Sequence, residues 1–163
     1  MDNPKLLTIK ARKLIGMRIR TSASENNTRY LWQQFKPRVK EIKNTVNANF
    51  YAVEVYDKAI NLSDFNLDIT FEQWAAIEVT DFNKIPEGME PHTLSGGMYA
   101  VFIHKGPAHT FYNTLQYIYG IWLPYSEFES DNREHFEIMG KDYTNPNDPN
   151  AEEEVWIPIK KRA

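Results

Sequence analysis

Apolar positions along the chain follow two periods, and the order in which those periods alternate sets the fold class. Between residues 6 and 19, Leu7, Ile9, Leu14, Ile15, Met17 and Ile19 alternate imperfectly, the pattern of one strand or of two abutting strands. A polar stretch from Thr21 to Thr28 interrupts it. Leu31, Phe35, Val39, Ile42 and Val46 then recur at intervals of 4, 4, 3 and 4, which traces one face of a helix entered near Asn27. Pro37 lies inside that pattern and should kink or break it. Phe50 to Tyr56 and Phe71 to Val79 are rich in strand formers. The first half therefore reads strand, helix, strand, strand.

The second half repeats that order. After a loop marked by Pro86, Gly88, Pro91 and Gly96-Gly97, Met98 to His104 reads as a strand that Lys105-Gly106-Pro107 ends. Phe111, Leu115, Ile118 and Trp122, spaced 4, 3 and 4, trace a second helix closed by Pro124. A short strand at His135 to Met139, a Pro/Asn/Asp loop from Tyr143 to Asn150 and a final strand from Glu153 to Ile159 complete the chain. Superposing corresponding elements needs offsets of 84 for the first strand, 87 for the helix, 85 for the next strand and 80 for the last. This predicts an α+β fold of duplicated βαββ units with pseudo-twofold symmetry. The sheets are antiparallel, with two main helices and a central ligand cleft along the junction of the units. The expected organisation is one domain over residues 1–163, with repeats at about 5–80 and 96–161.

Composition narrows the function classes. The 163 residues carry a net charge of −3, which argues against a surface built for nucleic acid or anionic lipid. No cysteine is present, so disulfides, a thiolate nucleophile and cysteine-ligated metals are excluded. The start, Met1-Asp2-Asn3-Pro4-Lys5, lacks the basic and apolar regions of a signal peptide, and the expected location is the cytoplasm. Four histidines, at 92, 104, 109 and 135, show no ligand spacing, so neither a metal nor another cofactor is expected. No nucleophile elbow, phosphate loop or dinucleotide fingerprint occurs. The basic residues Lys36, Arg38, Lys40 and Lys43, and the terminal Lys160-Lys161-Arg162, read as solvated faces.

Aromatic residues make up 13% of the chain, and their positions suggest a groove. In the last strand, Val155, Ile157 and Ile159 face one way while Glu154, Trp156 and Pro158 face the other. A carboxylate and an indole two residues apart suit an organic cation, the first as countercharge and the second through its ring face. The same residues also read as a solvent-facing acid beside a half-exposed packing tryptophan. The offset of 80 sets Trp74 opposite Glu154, giving one charged and one aromatic wall; Trp74 equally suits an ordinary core position. Phe50 and Tyr51 lie on opposite faces of their strand, so only one lines the groove. Tyr99 reaches either core or cleft. Tyr112 and Tyr119, seven apart on the second helix, fit the rim of a groove or the core, whereas Trp122 completes the apolar stripe.

Three segments together carry a family resemblance. They are Gly96-Gly97-Met98-Tyr99-Ala100-Val101-Phe102-Ile103-His104-Lys105-Gly106-Pro107, the helix Tyr117 to Pro124, and Glu154-Val155-Trp156-Ile157-Pro158-Ile159. They resemble the GyrI-like, or AraC-type effector-binding, domain family. The match is specific from Gly96 to Lys160 and looser, by element order, from Leu6 to Val79. The resemblance implies a cleft for lipophilic, often cationic or polyaromatic, small molecules, with Glu154 matching the family's ligand-binding glutamate by its place four residues before Pro158. It leaves three functions open: a stand-alone effector-binding domain, a hydrolase of cyclopropane-containing natural products using Glu154 and Tyr119, and a protein that binds gyrase. A protein partner, gyrase or the transcription machinery, is compatible with it. The chain has no spare length for a helix-turn-helix unit, so direct sequence-specific DNA binding is not expected.

Overall fold

The computed structural model describes residues 3–143 and 145–163. Its strands are β1 (Lys5–Ile9), β2 (Arg12–Ser22), β3 (Phe50–Val55), β4 (Thr70–Val79), β5 (Glu90–Leu94), β6 (Gly97–Lys105), β7 (Phe128–Ser130), β8 (His135–Met139) and β9 (Glu152–Lys161). They form one antiparallel sheet in the order β1-β6-β9-β8-β3-β4-β2-β5, with β7 paired to the far end of β9. The segment from Leu6 to Ile19 is thus two strands, and the linker between them explains the shape of the sheet. β1 lies at one end of the strand order and β2 next to the other end, yet only Lys10 and Ala11 separate them in sequence. The three steps from Ile9 to Arg12 span at most about 11 Å. The sheet must therefore curl until its ends nearly meet.

Curling gives the sheet two unlike faces. The inner face carries no helix, yet it buries Tyr51, Trp74, Tyr99, Phe136 and Trp156 in one cluster with Leu14 and Leu94. The outer face carries the helices. α1 (Thr28–Phe35) seats Leu31 and Phe35 on Ile15, Ala75 and Ile77, at the β2/β4 side. α2 (Phe111–Tyr117) and α3 (Leu123–Tyr125), with the turn between them, cover Ala100, Phe102, Val155 and Ile157 at the β6/β9 side. Neither helical layer seals the central strands β3 and β8. That gap is the cleft.

The duplication is visible in the side chains. Trp74 donates its indole N–H to Glu72, two residues earlier, at 2.6 Å, and Trp156 does the same to Glu154 at 3.1 Å. Each indole also lies under an arginine, Arg18 at 5.8 Å and Arg12 at 5.1 Å from the ring centre. The last strands therefore superpose with an offset of 82, from 74 to 156, instead of 80. Val53 faces Trp74 across the ladder as Phe136 faces Trp156, so the following residue pairs Glu54 with Glu137.

Local differences from the sequence expectation have local causes. The first helix stops at Phe35 because Pro37 follows. A 3₁₀ segment, Lys36–Glu41, replaces the next turns, and Val46 instead donates its backbone N–H to Glu78. β5 holds Pro91 inside what reads as a loop; as an edge strand bonded only to β2 it tolerates the missing N–H. β7 is three residues long, too short to show a period. The second helix passes through a π-helical turn, Ile118–Trp122, before α3. Such a turn adds a residue to the helical cycle and shifts the faces beyond it. Tyr119 is buried there, while Tyr112 stays 52% exposed.

Candidate functional site

Alternation along β3, β8 and β9 decides which polar side chains enter the cleft. On the helix-bearing face β3 presents Ala52 and Glu54, β8 presents His135 and Glu137, and β9 presents Glu153, Val155 and Ile157. Ala52 keeps the floor low, and the neighbouring Gln73 on β4 completes it. The result is a cavity of about 630 Å³ between α1 and α2. Trp32, Tyr56, Phe65, Phe71, Phe111 and Tyr119 supply its aromatic walls. It continues outward, past Trp32, Ala108 and Tyr143, into a groove of about 930 Å³ along α1 that Phe50 lines.

The electrostatics of the cavity are one-sided. Glu54, Glu137 and Glu153 line it, and among the described lining residues there is no lysine or arginine. The three glutamates run diagonally across adjacent strands: Glu54 lies opposite His135, with Glu137 two residues further along β8, and Glu137 lies opposite Val155, two residues from Glu153. Burial makes each carboxylate costly. It pushes Glu54 and Glu153 up to about 7, against a hydrogen bond from Gln73 that holds Glu54 lower. Glu137 is pushed well above the usual carboxylate range by burial and by the adjacent Glu54. Gln73 fixes the floor, donating from Nε2 to Glu54 at 2.9 Å and to the carbonyls of Val53 and Trp74 at 3.2 and 3.1 Å.

His135 is the fourth titratable group on the floor. Burial pushes it down to about 3, so the ring is neutral and supplies no countercharge to the glutamates. It shares a 3.0 Å hydrogen bond with the phenol of Tyr119 and meets the edge of Tyr56 at 5.0 Å between ring centres. Phe65 packs on Tyr119 at 4.8 Å, and Tyr56 on Phe71 at 5.2 Å. Burial raises the phenols of Tyr56 and Tyr119 well above the ordinary tyrosine value, so both stay protonated.

The residues singled out in the sequence divide between the two faces. Tyr112 and Tyr119 line the cavity, and Phe50 lines the outer groove, which answers the Phe50/Tyr51 alternative on the side of Phe50. Tyr51, Trp74, Tyr99 and Trp156 lie on the inner face of the curl, where Phe136 stacks between Tyr51 and Trp156 and meets Tyr99 edge-on. Trp74 and Trp156 are 3% and 5% exposed. Glu154 shares their face, opens onto a shallow groove with Ile103 and Ile138, and accepts the Trp156 N–H. The acid on the cavity side is its neighbour, Glu153. Choosing between adjacent glutamates in a strand chooses the face, because a one-residue step reverses every side chain. A signal for Glu153 was present: it shares parity with Val155, Ile157 and Ile159, so it is the acid on the apolar, helix-covered face. Glu54 and Glu137 carry the same signature beside Ala52 and His135. The corrected offset sets Phe71 against Glu153, so the first repeat contributes a ring where the second contributes a carboxyl.

Comparison with known proteins identifies the lineage of this architecture. The GyrI-like small molecule binding domain model matches residues 2–160. The chain belongs to that family. It is 30% identical over 146 residues to the transcriptional regulator BrlR of Pseudomonas aeruginosa, covering 90% of this chain and 51% of that protein. The GyrI-like chain thus spans about half the length of this curated relative. Among solved structures, SAV2435 bound to tetraphenylphosphonium superposes with a TM-score of 0.72 at 15% identity, covering 98% of this chain and 94% of that one. The EcmrR C-terminal domain gives 0.71 at 14% identity, covering 97% of each chain. A hydrolase from Listeria innocua gives 0.60 at 11% identity, covering 97% and 92%. At these identities the structural likenesses establish the fold.

Proposed function

We propose that this GyrI-like protein binds lipophilic organic cations in the cavity between α1 and α2, with Glu153 as the principal countercharge. The observation that carries the reading is a set of three carboxyls, Glu54 buried and Glu137 and Glu153 half-buried, inside aromatic walls with no cationic side chain among the described lining residues. A carboxylate held there is partly stripped of water and has no ion-pair partner among the described lining residues, and a ligand cation relieves that cost. The ring faces of Trp32 and Tyr56 attract a desolvated positive charge. SAV2435, which shares the fold, was solved with such a cation, tetraphenylphosphonium. BrlR is a transcriptional regulator, and the part of it that this chain matches suits the role of an effector-sensing module.

The test is calorimetric titration with tetraphenylphosphonium and with the neutral triphenylphosphine oxide. Because burial pushes Glu54 and Glu153 up to about 7, cation affinity should rise as pH increases through that range while the neutral compound stays flat. Parallel pH profiles for the two compounds would overturn the proposal.

A hydrolytic role has one observation in its favour, the neutral His135 bonded to Tyr119 on the cavity floor, a polar pair able to hydrogen-bond a bound electrophile. Incubation with a cyclopropane-bearing alkylator and a mass-spectrometric search for the water adduct decides it. Unchanged mass of the alkylator would exclude this role.

A further inference from the structure

The cavity opens outward into a groove whose charge has the opposite sign. Thr28, Trp32, Ala108 and Tyr143 line both, and beyond them the groove of about 930 Å³ along α1 is lined by Arg29, Lys36, Phe50 and Met139. Among its described lining residues there is no aspartate or glutamate, just as the cavity has no lysine or arginine. The Lys36 ammonium lies over the groove wall, 5.2 Å from the centre of the Phe50 ring and 5.8 Å from that of Trp32. Neither Arg29 nor Lys36 takes part in an ion pair among the described residues, whereas Arg38, two residues on, is held by Glu41 at 2.6 Å. Of the basic residues Lys36, Arg38, Lys40 and Lys43, Lys36 is thus the one that turns to the groove.

We propose that this groove is an anion subsite, and that the preferred ligand is a lipophilic zwitterion: an aromatic cation in the cavity joined to a carboxylate that reaches Arg29 and Lys36. This rests on the cavity being the cation site, and it adds a second charge, its sign and its distance. The β8/β9 ladder pairs Ile138 with Glu154, so its next step sets Glu153 level with Met139, and Met139 pairs with Phe50 on β3. Two strand spacings, roughly 10 Å, therefore separate the backbones of Glu153 and Phe50. An ammonium resting against ring faces gives up part of its hydration without gaining a countercharge, and a ligand carboxylate supplies one. Trp32, shared by cavity and groove, offers apolar surface to the spacer between the two charges.

Matched probes test this: (7-carboxyheptyl)triphenylphosphonium, whose extended chain spans that distance, and its methyl ester. Both carry the same cation, and only the acid carries an anion. Calorimetric titration at about pH 8, where Glu153 is ionised, should show the acid binding about fivefold more tightly than the ester at low ionic strength, with the gap closing as salt is added. Arg29→Met combined with Lys36→Met should bring the two affinities within about twofold of each other. Lys40→Met combined with Lys43→Met removes the same charge from outside the groove and should keep the preference. Ester binding serves in each variant as the check on folding. Equal affinities in the wild type, a preference that survives the loss of Arg29 and Lys36, or an equal collapse in both double variants would overturn the inference. Failure of the cation reading itself looks different, since then neither probe binds. If both probes bind equally well and both weaken in Glu153→Gln, the anion subsite falls and the proposed function stands.

Discussion

A pocket that keeps carboxyls out of water weakens the protein that carries it, and replacing Glu153 by glutamine measures by how much. Burial raises the Glu153 carboxyl from its ordinary 4.5 to about 7 in the folded chain. The sign follows from proton binding: between those values the folded state holds the proton more tightly than the unfolded state. The resulting stability is full below about pH 4.5 and is lost as pH rises to about 7. A shift of that size corresponds to on the order of 3 kcal/mol, a large share of a typical folding free energy. Urea denaturation at about pH 5 and pH 8 should therefore show the wild type less stable at the higher pH. Glu153→Gln should be more stable than wild type at pH 8, by up to about 3 kcal/mol, with a flatter pH profile. Tetraphenylphosphonium should restore wild-type stability at pH 8. If Glu153→Gln is destabilised at pH 8, or keeps the wild-type profile, the carboxyl is solvated and the reasoning fails.

Other substitutions separate the two faces of the sheet. Tyr119→Phe removes the phenol from a buried hydrogen bond with His135 and should cost about 1–3 kcal/mol by chemical denaturation, with an unaltered fold by circular dichroism. Trp156→Ala empties part of the inner aromatic cluster and should cost about 3–5 kcal/mol. At temperatures where that variant remains folded, its cation affinity should stay within about twofold of wild type, as expected of a side chain on the far face. Of the four tryptophans, Trp32 alone lines the cavity, so a bound pyridinium should quench its emission. Trp32→Phe should remove most of that quench and Trp74→Phe little of it; the reverse result would move the ligand to the other face.

Most strand identities and their order were legible because they depend on local apolar period: β2, β3, β4, β6, β8 and β9 sit where the pattern put them, whereas β5 reads as a loop and β7 shows no period. What the period does not carry is closure. The inner aromatic cluster exists only because the sheet curls, and the curl follows from a two-residue link between strands at opposite ends of the order, a pairing without a local signature. Trp74 and Trp156 therefore resembled groove walls, since no helix was available to bury their face. The two adjacent acids fall on opposite faces for a related reason. Glu154 gained apparent meaning from its proximity to Trp156, whereas the contact between them is a structural hydrogen bond repeated at Glu72 and Trp74. Glu54 and Glu137 were harder to see, because they meet only through the β3/β8 pairing that joins the two repeats.

Adjacent glutamates on β9 provide the most direct test, since they differ in little except the face they occupy. Tetraphenylphosphonium affinity should be measured by calorimetry at about pH 8 for wild type, Glu153→Gln and Glu154→Gln in parallel. Glu153→Gln should lose at least about tenfold and Glu154→Gln less than about twofold. Comparable losses, or a larger loss for Glu154→Gln, would contradict a cation site on the helix-bearing face.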